Sequence, residues 1–226
     1  GTVNTVKRIY SASLTITGSG TLNMEDMGVT QSTRTNNPSS LYIEDTTINV
    51  NLPSTKCGQW EGNCKLAGSA KVTYTGCGDY SVLKLGQGNG ITHSLTLKDN
   101  ASLYCVQDDA SVASPYPVSG LECFQGATIT LQDNAYLEAE GRATSGDHSG
   151  CGVLADGDIL VQDNATLKAT AYAEAISTWG RFTVNGGKLI VKSENGNGVY
   201  SDATIDISNN STVEATGYYP ALFGNT

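Results

Sequence analysis

The chain has 226 residues, a net charge of −9 and only 15% charged residues. Binding to nucleic-acid phosphates needs clustered Lys and Arg, and the 13 basic residues here are scattered, so we expect no nucleic-acid partner. No stretch approaches the roughly 20 apolar residues of a transmembrane helix, so we also expect no membrane insertion. The 26 Gly residues and the low charge favour an all-β protein with many tight turns.

One strand–turn–strand unit recurs along the chain. Its three clearest copies are Leu95–Leu103, Ile129–Leu137 and Ile159–Leu167, each with Asp-Asn and then Ala at its centre. Apolar and polar residues alternate within each copy, which is the period of a half-buried strand. The last apolar residue of each unit sets a register of eight positions: Leu22, Ile48, Tyr80, Leu103, Leu137, Leu167, Leu189 and Val213.

A second inward column lies two residues further on. Its members are all apolar and mostly small: Met24, Val50, Val82, Cys105, Ala139, Ala169, Val191 and Ala215. Successive register positions are 22 to 34 residues apart, and the shortest spacings are typical of one solenoid coil. The longer spacings predict loop insertions near 25–40, 51–70, 106–119 and 140–151.

These columns predict an all-β fold, a right-handed parallel β-helix of about eight coils, with residues 1–226 as a single domain. This fold is a single-stranded β-solenoid. An antiparallel β-sandwich is the alternative, because its strands also alternate and are also separated by turns. A sandwich, however, would not need the same residues at the same turn position.

The bends between the paired strands carry residues that tolerate the left-handed backbone conformation. Their Asp residues, Asp99, Asp133 and Asp163, are expected to make local turn hydrogen bonds. The following residues are expected to stack in a hydrogen-bonded amide ladder, rather than to act as glycosylation sites: Asn100, Asn134, Asn164 and Asn210.

The six Cys residues include no Cys-x-x-Cys pair, and His is limited to two residues, so zinc is not expected. Cys105 falls in the inward column and is predicted to be a buried small hydrophobe. Cys57 and Cys64 lie in a predicted insertion, where they either form a disulfide or remain free thiols.

Two sets of residues are candidates for ligand binding. Asp156 and Asp158 lie near a turn, where oxygen ligands for calcium converge, and they are the predicted metal ligands. Exposed aromatic rings stack on the apolar faces of sugars, and the predicted ligand-binding rings are Tyr104, Tyr136, Trp179 and Tyr200. The alternative is that Tyr is present simply as a good strand residue.

No catalytic residue is assigned. A polysaccharide lyase needs a base, and the candidates Arg142 and Arg181 lie in no acidic cluster. A glycoside hydrolase needs two facing carboxylates about 5–9.5 Å apart, which Asp156 and Asp158 on one turn do not establish.

The segment from Gly186 to Asp202 resembles the coils of right-handed β-helix surface proteins of gut and clostridial bacteria. It is similar in particular to the clostridial carbohydrate-binding, pectate-lyase-like β-helix family. The resemblance implies binding of cellulose or polygalacturonate with calcium. In this chain Asn197-Gly198-Val199-Tyr200 replaces the acidic return turn of that family, which argues against calcium-dependent pectin binding.

We therefore expect a non-catalytic, secreted or cell-surface module that binds polysaccharide or host-surface glycan, or that acts in adhesion. The chain begins at Gly1 without an export signal, so we expect it to be a fragment of a longer exported protein. A β-helix lyase or hydrolase is one alternative, and a structural stalk with a featureless outer face is another.

Overall fold

The structure is a computed structural model, and it describes residues 2–30, 39–53, 55–76, 80–86, 92–107, 118–144 and 150–225. Within those ranges there are 24 strands and no helix. The strands form two parallel sheets, one of 16 strands and one of eight, and successive strands of each sheet come from successive coils. The predicted all-β parallel β-helix is confirmed.

Each coil visits three faces in a fixed order, and every strand pairs with its equivalent in the next coil. Face 1 is the eight-stranded sheet: β2 Ser13–Thr17, β4 Ser40–Glu44, β7 Asn63–Ala67, β10 Ser94–Leu97, β13 Thr128–Leu131, β16 Ile159–Gln162, β19 Phe182–Asn185 and β22 Ile205–Ser208. Its eight strands mark eight coils, as predicted.

The 16-stranded sheet is divided into faces 2 and 3. Face 2 contains β5 Thr47–Leu52, β8 Lys71–Gly76, β11 Ser102–Gln107, β14 Tyr136–Gly141, β17 Thr166–Ala171, β20 Lys188–Ser193 and β23 Thr212–Thr216. Face 3 contains β6 Gly58–Trp60, β9 Leu83–Leu85, β12 Leu121–Cys123, β15 Val153–Ala155, β18 Ile176–Thr178, β21 Val199–Ser201 and β24 Leu222–Gly224. The long strands β1 Val3–Ser11 and β3 Thr21–Val29 pair with each other, and β3 pairs with both β5 and β6, so it joins the two faces.

Strand pairing confirms the predicted register in every coil except the third. There Val72, not Tyr80, stands between Ile48 and Leu103. In the second inward column, Tyr74 replaces the predicted Val82. The segment 51–70, predicted as an insertion, carries β6 and β7.

At the bends between faces 1 and 2, neighbouring coils are joined by Asp carboxylates rather than mainly by Asn amides. Asp99, Asp133 and Asp163 have φ angles of 59°, 59° and 60°. The backbone N–H of Asp99 donates to Asp133 Oδ2 at 3.0 Å, and that of Asp133 donates to Asp163 Oδ2 at 3.1 Å. The predicted local hydrogen bonds are therefore bonds between neighbouring coils.

The predicted amide ladder is present as one weaker side-chain contact, in which Asn134 Nδ2 donates to Asn100 Oδ1 at 3.4 Å. At the bends of Asp99, Asp133 and Asp163 the residue in the left-handed conformation is that Asp, whereas at the last bend Asn209 and Asn210 both adopt it. An Asp side chain is short enough to reach a neighbouring N–H from this conformation, and it tolerates the positive φ angle.

The described cysteines are free thiols, so of the two alternatives for Cys57 and Cys64 the structure has the free thiols and no disulfide between them. Cys64 belongs to β7, where it is buried and aligned with Leu41 and Leu95. Its side chain therefore points into the core as an apolar strand residue does. Cys105 is also buried, as predicted.

The described ranges contain no helix that is both long and apolar enough to cross a membrane.

Candidate functional site

The outer side of face 3 carries a column of residues, one from each coil. In the last four coils the column runs Leu154, Ser177, Tyr200 and Phe223. Tyr200 and Phe223 stack with ring centroids 5.4 Å apart and planes 9° from parallel. This separation is close to the strand spacing of about 4.8 Å, so the column is a stack of one side chain per coil.

Hydrogen bonding also fixes the position of Tyr200. Its hydroxyl donates to Asp202 Oδ1 at 2.7 Å. This hydrogen bond to the carboxylate is the main cause that raises the pKa of Tyr200, and desolvation acts in the same direction. Tyr200 is therefore a neutral, oriented ring across the physiological pH range.

Ser177 leaves a gap in the column, because its side chain is far shorter than the rings in the next two coils. A cavity of about 300 Å³ lies there, and we call it the face-3 slot; its walls are Glu174, Ser177, Trp179, Tyr200 and Asp202. The indole of Trp179 is 48% exposed. Two of the four predicted ligand-binding rings thus meet at one concave site.

The other two predicted rings lie together on the outer side of face 2. Tyr104 and Tyr136 have ring centroids 5.5 Å apart, with planes tilted by 42°. The Lys71 ammonium lies 5.2 Å from the centre of the Tyr104 ring. Tyr136 donates to Glu138 Oε2 at 2.8 Å, and Lys168 Nζ lies 2.7 Å from Glu138 Oε1.

In this group of side chains on face 2, the Glu138 carboxylate has a hydrogen-bond donor at each of its two oxygens. Desolvation alone would raise the pKa of Glu138, but the hydrogen bonds from Lys168 and Tyr136 outweigh it and lower that pKa. Burial and the hydrogen bond to Glu138 raise the pKa of Tyr136. The carboxylate is committed to two partners within the protein, so the two tyrosine rings are the surface that this cluster offers to a ligand.

The structure does not bring the four rings into one site, because they lie on two different faces. The register explains why: Tyr104 and Tyr136 belong to strands of face 2, whereas Tyr200 belongs to a strand of face 3. The face-3 slot is the stronger candidate, since it is concave and combines two rings with two carboxylates.

The predicted calcium ligands make hydrogen bonds to the backbone. Asp156 Oδ2 accepts from the N–H of Gln125 at 2.7 Å, in the preceding coil. Asp158 Oδ1 accepts from the N–H of Arg181 at 2.8 Å, in the following coil. In the part of the chain that the structure describes, no three acidic, His or Cys side chains are grouped as metal ligands. Calcium at this pair stays a prediction.

Of the two arginines considered as lyase bases, Arg142 has an ion-pair partner. Arg142 forms a bidentate pair with Glu140, at 2.8 Å through Nε and 3.0 Å through Nη2. This pair lines a cavity of about 210 Å³ that also includes Tyr172 and Glu194. A guanidinium held in such a pair is a strong hydrogen-bond donor and a poor base.

The sequence did not indicate Glu174 or Ser177 as site residues. Glu174 precedes β18 and Asp202 follows β21, and only the stacking of those strands places them together. The signal in the sequence that could have located this site was the strand of face 3, which carries one outward residue in each coil. Reading Ser177 and Tyr200 as equivalent outward positions would have shown a small residue beside a ring.

Comparison with known proteins adds no relative: the chain matches no family model, no curated protein and no solved structure.

Proposed function

We propose that this chain is a non-catalytic carbohydrate-binding module of an exported, cell-surface protein, and that the face-3 slot is its binding site. The observation that carries the proposal is the meeting of Trp179 and Tyr200 with Glu174 and Asp202 around one cavity. Aromatic faces cover the apolar C–H surface of a sugar ring, while carboxylates accept hydrogen bonds from its hydroxyl groups. A role in adhesion follows if the sugar belongs to a host or neighbouring cell.

The rigidity of the slot supports the same function. Tyr200 is fixed by its stack on Phe223 and by its hydrogen bond to Asp202, so little side-chain freedom is lost on binding. The strands that carry the site belong to a continuous ladder of backbone hydrogen bonds. The similarity to gut and clostridial β-helix surface proteins, noted from Gly186 to Asp202, is consistent with export to the cell surface.

The test is binding of the purified chain to an array of neutral, anionic and cationic saccharides, with pull-down on insoluble polysaccharides. Trp179→Ala should weaken binding by about tenfold or more, as is usual for a central aromatic contact. Tyr218→Ala is the matched control, because that ring is 71% exposed and lies outside the slot. Tyr104→Ala measures any contribution of face 2. A wild-type chain that retains no saccharide contradicts the proposal.

A glycoside hydrolase is the second candidate, and the observation that favours it is the presence of Glu174 and Asp202 in the same cavity. Glycosidases use two carboxylates on either side of the scissile bond. Release of reducing sugar from a bound polysaccharide, lost in Asp202→Asn, would establish this function in place of simple binding.

A structural stalk is the remaining alternative, favoured by the parallel ladder that runs through all eight coils. A chain that holds its fold and binds no saccharide on the array would support it.

A further inference from the structure

The face-3 slot lies where the column of stacked rings on face 3 is interrupted by a small residue. One face of Tyr200 is covered by Phe223 in the next coil, at 5.4 Å. The opposite neighbour in the column is Ser177, which lies in the preceding coil and leaves room for about one ring beside Tyr200. An occupant of the slot therefore lies flat against Tyr200, with Trp179 beside it.

The charges around this position have one sign. Glu174 and Asp202 line the slot, and the basic residue nearest to Trp179 in the sequence, Arg181, is not among its walls. After Lys192 the chain has four acidic residues, Glu194, Asp202, Asp206 and Glu214, and no Lys or Arg. Lys188 pairs with Glu214 at 2.9 Å, so the negative charge at the slot comes from its own walls, Glu174 and Asp202.

A positive group in the slot is favoured in two ways. It neutralises the carboxylates in a partly enclosed site, and it meets the negative faces of Trp179 and Tyr200 through cation–π attraction. A uronic acid in the same position would meet two like charges and no cation. The geometry and the charges together select a ring that carries positive charge.

We propose that the slot binds a pyranose with a free ammonium group, that is, an amino sugar without its N-acetyl group. The sugar ring stacks on Tyr200, and its ammonium lies between Glu174 and Asp202. This inference rests on the proposed carbohydrate-binding function and specifies the class of sugar.

The experiment compares two ligands that differ in this one group. Glucosamine oligomers and N-acetylglucosamine oligomers of equal length are titrated into the chain by calorimetry, in a slightly acidic buffer that keeps the amine charged. The free-amine oligomers should bind about tenfold more tightly or better. The difference should shrink at high salt, because screening weakens a charge–charge contact at a partly open site.

Three variants locate the effect. Glu174→Gln and Asp202→Asn should each weaken binding of the free-amine oligomer more than binding of the N-acetyl oligomer, so the preference for the free amine falls. Ser177→Tyr supplies the missing ring and should abolish binding of both oligomers. Thr130→Tyr, at an outward position of β13 on face 1, is the control for adding a ring to the surface. Thermal unfolding confirms that each variant is folded.

The outcomes separate the two proposals. Equal affinity for the two oligomers, or tighter binding of the N-acetyl form, overturns the amino-sugar inference and leaves carbohydrate binding intact. Retention of full affinity in Ser177→Tyr overturns the location. Binding of no saccharide by the folded wild-type chain overturns the proposed function and this inference with it.

Discussion

The N-terminal and C-terminal coils share one backbone ladder but differ in the side chains that fill the interior of faces 2 and 3. In the N-terminal coils, Trp60 and Tyr74 meet edge to face at 5.7 Å, and Trp60 Nε1 donates to the Tyr74 hydroxyl at 3.0 Å. In the C-terminal coils the equivalent positions hold Ala139, Ala155 and Ala169, all fully buried. At these positions of faces 2 and 3, rings fill the interior in the N-terminal coils and Ala side chains fill it further along the chain, whereas on face 1 the C-terminal coils bury a ring of their own, Phe182.

Two glycines show how each arrangement is accommodated. At Gly58 a Cβ would collide with the ring of Tyr74, so the absent side chain makes space for an aromatic group. At Gly152 a Cβ would lie 2.6 Å from the carbonyl oxygen of Ala175 and 3.0 Å from that of Ala139, so the absent side chain lets backbone meet backbone. The hydrogen-bonded ladder fixes the coil spacing, and side-chain volume then sets how far apart the faces stand.

The contrast extends to the surface. The two large rings of the N-terminal coils, Trp60 and Tyr74, are buried, whereas Trp179 is half exposed and Tyr200 lines an open slot. On face 3 the C-terminal rings lie on the outer side, where a ligand reaches them, while Phe182 on face 1 is buried.

Removing a buried ring from the interior of the N-terminal coils should have the largest effect on stability. Tyr74→Ala should lower the free energy of unfolding by about 3–5 kcal/mol, because it opens a cavity and removes the hydrogen-bond acceptor of Trp60 Nε1. Denaturant titration measures the change. Tyr104→Ala, on the wet face of the neighbouring coil, is the control, with an expected loss below about 1 kcal/mol. Similar losses for the two variants would contradict the assignment of Tyr74 to the core.

Enlarging a small buried side chain of the inward column should lower stability by a smaller amount. Ala139→Leu should reduce the free energy of unfolding by about 1–3 kcal/mol, because Ala139 is fully buried and the added carbon atoms must displace packed neighbours. Ala215→Leu occupies the same column in the last coil, where the position is only partly buried, and should be better tolerated. Equal tolerance at both positions would show that the C-terminal core is less tightly packed than the contacts of Gly152 indicate.

Bends with an Asp carboxylate that accepts a hydrogen bond from a neighbouring coil occur in both halves of the protein. Removing the carboxylate should therefore lower stability by a similar amount in each half. Asp45 accepts from the N–H of Ser69 in the following coil at 2.8 Å, Asp133 accepts from that of Asp99 in the preceding coil at 3.0 Å, and both have positive φ angles. Asp45→Ala and Asp133→Ala should each lower stability by about 1–2 kcal/mol through the left-handed backbone conformation. The Asn variants, which tolerate that conformation, should lose less. A loss in only one half would show that the turns are not equivalent.

The smallest expected effect is a change in how stability depends on pH in the acid range. The backbone N–H of Gly68 and then Lys98 lower the pKa of Asp99, so this group stabilises the fold above its unfolded pKa of about 3.9. That contribution is lost as pH falls through the lower pKa of the folded state. Thermal unfolding at pH values from about 7 down to about 3 should show a shallower acid-side decline for Asp99→Asn than for the wild type. Identical profiles would assign the decline to other carboxylates.

The sequence by itself determined the repeat, since strand alternation and the recurring Asp-Asn bend depend only on local backbone preference. It failed in the third coil because Cys64 does not look like an apolar strand residue and because Tyr74 breaks the column of small side chains. A thiol that packs as a hydrophobe and a ring that packs into the space left by Gly58 are decided by the neighbouring coils.

Tertiary structure alone decided which side chains meet. Asp156 and Asp158 are two residues apart, yet they bind backbone in opposite neighbouring coils, at Gln125 and Arg181. Trp179 and Tyr200 are 21 residues apart, yet they line one slot. In a solenoid, neighbours in the chain diverge around the coil, while residues one coil apart come within one strand spacing of each other. The sequence therefore determined the coil, and the stacking of coils determined the site.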